Sequence, residues 1–204
     1  MQFNEYIESI LPELKWRHFG VGALQAYLHE GGGIEQRLHI WDPSLVKPGI
    51  VGFGDCHDHR FSFTSQVLCG CVENVIWTVT HCAQEDATHD VYEVENARAA
   101  HARTGSHDGT CRVVDYCFFE RKERRVAHAG SWYEFPRGAF HQTRTHGLTV
   151  TLVTKYDQRD DVRARILCPK GEPLVHAFGD TEPPIAAIVW RAQEELRAAT
   201  SRAA

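Results

Sequence analysis

Hydrophobic positions follow helical spacing at the two ends of the chain and fall into short strand-like runs between them. Residues 3 to 16 place Phe3, Tyr6, Ile7, Ile10, Leu11 and Leu14 along one helical stripe. Pro12 is placed to kink or split that element, and Gly20-Val21-Gly22 to end it. From about Pro184 to Arg197 the pattern returns with Ile185, Ile188, Val189, Ala192 and Leu196, entered through the Pro183-Pro184 pair. Helical regions are therefore predicted over 1–20 and 182–200.

Between them the runs are Leu38 to Trp41, Phe61 to Leu68, Val72 to Thr80, Val91 to Val94, Arg112 to Glu120, Trp132 to Phe135, Leu148 to Lys155 and Ala164 to Leu167, punctuated by Gly, Pro, Asp and Asn. Many short strands with helices only at the ends predict an all-β barrel or double-sheet jelly roll over residues 27–170, rather than alternating βαβ units. Residues 96–109 are polar and lack a sustained period, so they read as irregular. At 204 residues the chain has the length of one domain, and a single domain over 1–204 is expected.

Composition narrows the function classes. With 43% hydrophobic and 24% charged residues the chain is neither disordered nor fibrous in type. Its first residues are acidic where a secretory signal is basic, and no stretch approaches the roughly 20 apolar residues of a membrane helix, so no membrane partner is expected. A net charge of -5 without a long basic run argues against nucleic acid. The one basic cluster, Arg121 to Arg125, reads as a solvated hairpin tip between two strands. Seven cysteines, an odd number with no zinc-finger pair, read as reduced thiols of a cytoplasmic protein.

The chemical signal is in the histidines. His57 and His59 are separated by one residue at the start of a strand-like run, so in an extended chain both point to one face and can reach one metal ion. Far downstream, Gly130, Pro136, Gly138 and His141 have the spacing G(x)5PxG(x)2H. From this chain's own content of Gly, Pro and His, about 0.003 such matches are expected by accident over its length. Pro136 and Gly138 can form a turn that delivers His141 at the start of the next strand, facing the earlier pair. Three imidazoles on one side of an ion suit Fe, Mn, Ni, Cu or Zn and leave positions open.

The element ending at His141 resembles the second motif of the cupins. Their first motif, G(x)5HxH(x)3-4E(x)6G, is matched with departures: Gly52 stands one residue closer to the histidine pair, Gly70 fits, and the glutamate position falls on Phe63 or Thr64. Thr145 replaces the asparagine that often ends the second motif. Residues 27–156, with a Trp-bearing strand before His57-Asp58-His59, resemble the cysteine and thiol dioxygenase branch. That resemblance implies a cupin double-stranded β-helix with flanking helices and one divalent metal, Fe(II) first, on His57, His59 and His141. It further implies O₂ and a small thiol or related chelating metabolite as substrates, with Tyr156 as the family's catalytic tyrosine. The family's early carboxylate-binding arginine has no match in the Tyr27-Leu28-His29 region, whereas Arg37 on the following strand can project inward.

Arg37 and His39 share a face of their strand, which makes them candidate substrate-binding residues beside the solvated-face alternative. Arg60 reads as a structural ion-pair partner, His128 and His146 as surface histidines, and Cys69 and Cys71 as core filling. Trp77, Trp132, Phe61, Phe63 and Phe140 are expected to fill the barrel. Three functions remain open: the dioxygenase, a metal-dependent isomerase, epimerase or lyase, and a non-catalytic small-ligand-binding cupin. A homodimer is compatible with each of them.

Overall fold

The structure is a computed structural model that describes residues 3–19, 22–45, 56–95, 111–172 and 184–203. Helix α1 (Phe3–Ile10) runs into a 3₁₀ turn (Leu11–Glu13) at Pro12, whose ring cannot continue the helix. Eleven strands follow: β1 (Arg17–Phe19), β2 (Ala23–Gly31), β3 (Ile34–Trp41), β4 (Ser62–Cys69), β5 (Cys71–His81), β6 (His89–Val94), β7 (Cys111–His128), β8 (Trp132–Phe135), β9 (His141–Thr145), β10 (Thr149–Tyr156) and β11 (Ala164–Pro169). Helix α2 (Ile185–Ala203) closes the described chain.

The strands form two antiparallel sheets, ordered β1-β2-β3-β10-β4-β8 and β11-β6-β7-β5-β9. From β7 onward the chain passes back and forth between the sheets, placing β8 and β10 in the first and β9 and β11 in the second, as in a jelly roll. Residues 56–58 hydrogen-bond on one side to β9 (His57 N to His141 O, 3.0 Å) and on the other to β11 (Asp58 N to Arg165 O, 2.9 Å). This short extended piece joins the two outer strands of the second sheet and carries two of the candidate ligands.

The helices cover one face of the first sheet. Ile7, Leu11, Ile188, Ala192 and Leu196 are fully buried there against Leu24, Leu38, Ile40 and Val150. The i, i+4, i+8 spacing of Ile188, Ala192 and Leu196 gives α2 the stripe that this contact requires. Arg191 reaches the buried carboxylate of Asp42 at 2.6 Å, and Arg197 reaches Glu8 at 2.5 Å. With Val150 and Leu152 turned to the helices, Thr149, Thr151, Val153 and Lys155 face the other way, toward the second sheet.

Several expectations change. Residues 17–19, assigned to the helical region, form β1 and pair with β2, so the sheets begin before residue 27. The Arg121–Arg125 cluster is not a hairpin tip: it lies inside the 18-residue β7, paired along β5. Its side chains remain exposed, but the backbone fills the ladder, and Arg124 pairs with the buried carboxylate of Glu73. Trp132 does not fill the barrel; it is 67% exposed on the edge strand β8. The residues read as irregular at 96–109, together with Gly52 and Pro183, lie outside the described residues.

Candidate metal centre

His57, His59 and His141 converge. Each offers a ring nitrogen, and these atoms all lie within 4.8 Å of one another; ring centroids are 4.8 to 5.1 Å apart. The pairing of 56–58 with β9 sets His57 beside His141, and the period of two returns His59 to the same side. The Pro136-Arg137-Gly138 turn docks on the outgoing chain, with Gly138 N donating to His59 O (3.0 Å) and Arg137 N to Ser62 Oγ (3.0 Å). Gly138 has φ +77°, a conformation that glycine adopts without a Cβ clash.

His141 is buried, and its Nδ1 lies 3.1 Å from the carbonyl of Ala139. A carbonyl only accepts, so Nδ1 carries the proton and Nε2 keeps a lone pair for a metal. Burial, then the nearby His57, lowers the His141 pKa to about 3; burial, His57 and His141 hold His59 well below the ordinary histidine value. Both are therefore neutral imidazoles at neutral pH, the form that ligates. The donor set fits a first-row divalent ion, whose bonds to imidazole of about 2.0–2.1 Å are within reach of rings this close.

Aromatic rings wall the cluster. Phe135 stacks on His141 (4.2 Å, 16°), Phe61 stacks on His59 (4.7 Å, 23°), and Phe63 meets His59 edge-on at 5.2 Å. They fix the ring planes and exclude water on that side. Behind the ligands, Asp58 points away from His57 and His59 and is nearly inaccessible. It accepts hydrogen bonds from Arg165 N (2.6 Å), Nε (2.8 Å) and Nη2 (2.7 Å), which tie the histidine-bearing piece to β11.

A second polar group stands on the inward face of the first sheet. The buried Lys155 ammonium is 3.0 Å from Glu35, which also pairs with Arg37 at 2.5 Å. Lys155 lies 4.1 Å from the centre of the Phe61 ring, the same ring that stacks on His59. Arg17 and Arg37 donate to Gln25 Oε1 (2.5 and 3.3 Å), which turns the Gln25 amide nitrogen toward His39 Nε2 at 2.7 Å. Burial lowers the His39 pKa to about 3, with the cations Lys155, Arg37 and Arg17 adding to it. Burial, helped by Arg37 and opposed by Glu35, brings Lys155 down to about 7.

Arg37 and His39 thus share the inward face, as the sequence alternation predicts. Tyr156 is a correction. It follows Lys155 on β10, so it faces the opposite way and is 37% exposed; the inward place belongs to Lys155. Sequence reasoning passes over Lys155, Glu35, Gln25 and the Asp58–Arg165 clamp. The available signal was a lone lysine in the otherwise uncharged TVTLVTKY run. Arg60 pairs with Asp160, and His128 and His146 are exposed, as read from sequence.

The strand order defines a two-sheet antiparallel jelly roll, and the three-histidine cluster is its candidate metal centre. No protein-family model matches the chain, and no curated protein matches it. Among solved structures, the chain is similar to an RmlC-like cupin from Shewanella frigidimarina NCIMB 400, at 16% identity over 74% of this chain and 89% of that one, with a TM-score of 0.38. It is similar to KdgF from Halomonas sp. at 15% identity, over 74% and 92% of the two chains, with a TM-score of 0.37. A variant of Bacillus subtilis oxalate decarboxylase matches at 11% identity over 72% of this chain and 28% of that one, with a TM-score of 0.39. The fold assignment stands on this chain's own strand order and register.

Among the described residues no helix is long and apolar enough to cross a membrane.

Proposed function

We propose that the protein is a non-haem Fe(II)-dependent dioxygenase of a small chelating metabolite, a thiol among the candidates, with His57, His59 and His141 as the metal ligands. The observation that carries this reading is the cluster itself: three imidazole nitrogen donors and no carboxylate among them. Bound there, Fe(II) would supply open coordination positions for a chelating substrate and for O₂. His141 is pre-oriented by Ala139, and the Asp58–Arg165 clamp holds His57 and His59. Phe61, Phe63 and Phe135 keep one side dry, which limits reaction with water.

The inward cluster suits a substrate with an anionic arm. Arg37 and the buried amine of Lys155 stand beside the one carboxylate of Glu35, and a further negative charge brought there would hold Lys155 protonated and be stabilised by both. His39, neutral and oriented by Gln25, would help to position the same arm. A metal-dependent isomerase, epimerase or lyase is the second reading, and Lys155 is what favours it: a buried amine whose pKa is brought to about 7 can give or take a proton near neutrality.

Elemental analysis of the purified protein beside His141→Ala tests the ligand set. Oxygen uptake with a panel of thiols, after anaerobic Fe(II) loading, tests the reaction. Near-stoichiometric metal that is lost in the variant, with thiol-dependent uptake, is the expected result. Metal without uptake would move the assignment to the second reading, and no metal in either protein would refute the centre.

A further inference from the structure

The strands that carry the histidines have a second face, and that face also has the makings of a site. Alternation places His57, His59, His141 and Ile76 on one side, and Cys56, Asp58, Phe140 and Trp77 on the other. On that reverse side Cys56, Phe140 and Leu167 form a buried cluster against which Trp77, Val79 and Phe119 pack. A cleft of about 340 Å³ opens beside it, lined by Trp77, Phe140, Val79, Lys122 and Arg165 together with Ile76 and Ala139 from the histidine side. This is the size range of small-molecule pockets.

Three features of the cleft are unusual for an ordinary surface groove. The Trp77 indole N–H is buried and has no acceptor among the described residues. Burying an unpaired donor costs about 1–3 kcal/mol, so it is seldom retained in a surface groove without use. Lys122 is the residue by which β7 bulges: Glu123 pairs with Ile76 and Arg121 with Trp77, and Lys122 is left over. Bulges re-aim side chains, and this one adds Lys122 to the cleft lining, where it makes no salt bridge among the described residues. Finally, the Arg165 guanidinium lies 4.9 Å from the centre of the Phe140 ring; it uses Nε and Nη2 on Asp58 and has further N–H donors than that carboxylate takes up.

We propose that this cleft, on the reverse side of the histidine cluster, is a second binding site for a small organic monoanion with an apolar body, of the arylcarboxylate class. The ring of such a ligand packs on Phe140 and Trp77, and its carboxylate accepts from the Trp77 indole N–H while Lys122 and Arg165 supply positive charge. The site takes no part in the reaction assigned to the metal centre, although it shares Arg165 with the clamp that anchors His57 and His59. It also differs from the inward Lys155 cluster, which stands on β2, β3 and β10 of the first sheet.

Calorimetric titration of the full chain with benzoate, and with neutral benzamide as control, tests the site in wild type, Trp77→Phe, Lys122→Ala and His141→Ala. The expected result is saturable benzoate binding in wild type and His141→Ala. Benzamide binding should be at least about tenfold weaker, as should benzoate binding to Trp77→Phe, a change of about 1.4 kcal/mol. Lys122→Ala, an exposed position that tolerates truncation, should weaken binding and flatten its salt dependence. Absence of saturable binding to wild type would overturn the proposal, as would wild-type affinity in both Trp77→Phe and Lys122→Ala. Loss confined to His141→Ala would overturn it too, by placing benzoate at the metal centre.

Discussion

Replacing Asp58 by Asn separates the charge of the clamp from its shape. Asp58 is 3% exposed and takes three hydrogen bonds from Arg165, one from its backbone N–H and two from its guanidinium. An asparagine oxygen can keep the first, but its amide nitrogen then confronts the guanidinium donors with a donor of its own. Bonds to charged groups contribute about 1.5–3 kcal/mol each. Because the Arg165 side chain is 32% exposed, water recovers part of that loss, and a net destabilisation of about 2 kcal/mol is expected. With a urea m-value of about 2–3 kcal/mol/M, the unfolding midpoint should fall by about 0.7–1 M. The same change loosens the piece that bears His57 and His59, and loss of such supporting contacts typically weakens metal binding about 10–100-fold. Urea unfolding followed by circular dichroism, with a competitive chelator titration, reads both quantities. A midpoint shift under about 0.2 M with unchanged metal affinity would refute the reasoning that this ion pair anchors the centre.

Lys155→Met tests the buried amine through pH. The folded-state pKa of Lys155 lies near 7, below the unfolded value of 10.5, so the unfolded chain binds more protons between them and wild-type stability rises with pH across that window relative to the variant. A free-energy difference that stays flat from about pH 7 to 10 in paired urea titrations would count against the assignment. Tyr156→Phe should leave metal content and turnover unchanged, because the side chain faces away from Lys155; a tenfold loss of turnover would reverse the correction made above. Gly70→Ala should destabilise by about 2–4 kcal/mol, since Gly70 has φ +82° and an added Cβ would lie 2.4 Å from Thr149 Oγ1 and 2.6 Å from Leu148 O. Thermal unfolding of that variant within a degree of wild type would refute it.

The parts legible in the sequence are those that rest on short-range pattern. The helical stripes of α1 and α2, the split at Pro12 and the core of each strand from β3 onward, β9 aside, follow from hydrophobic period and turn residues within a few positions. The three histidines were legible for the same reason: His57 and His59 need only strand alternation, and His141 needs only the turn at Pro136 and Gly138. β1, β2 and β9 were missed or cut short because their inward positions are polar. Gln25, Tyr27 and His141 disguise the alternation that would mark a half-buried strand. β7 was cut at Glu120 because a run of charges reads as a turn, whereas pairing along β5 satisfies its backbone whatever its side chains face.

Tyr156 and Lys155 mark where local reasoning ends. Both stand at the end of β10, and a shift of one residue in which side faces inward exchanges them; that side is set by pairing with β3 and β4, more than 80 residues earlier. The Asp58–Arg165 clamp joins positions 107 apart, and the Lys155–Glu35 pair joins two strands from opposite ends of the chain. The sequence by itself determined the fold class and the three candidate ligands, because spacing along one strand or one turn is enough to specify them. Only the tertiary structure decided which charges surround those ligands and what packs on the reverse face of their strands, because both depend on which distant strands pair and in what register.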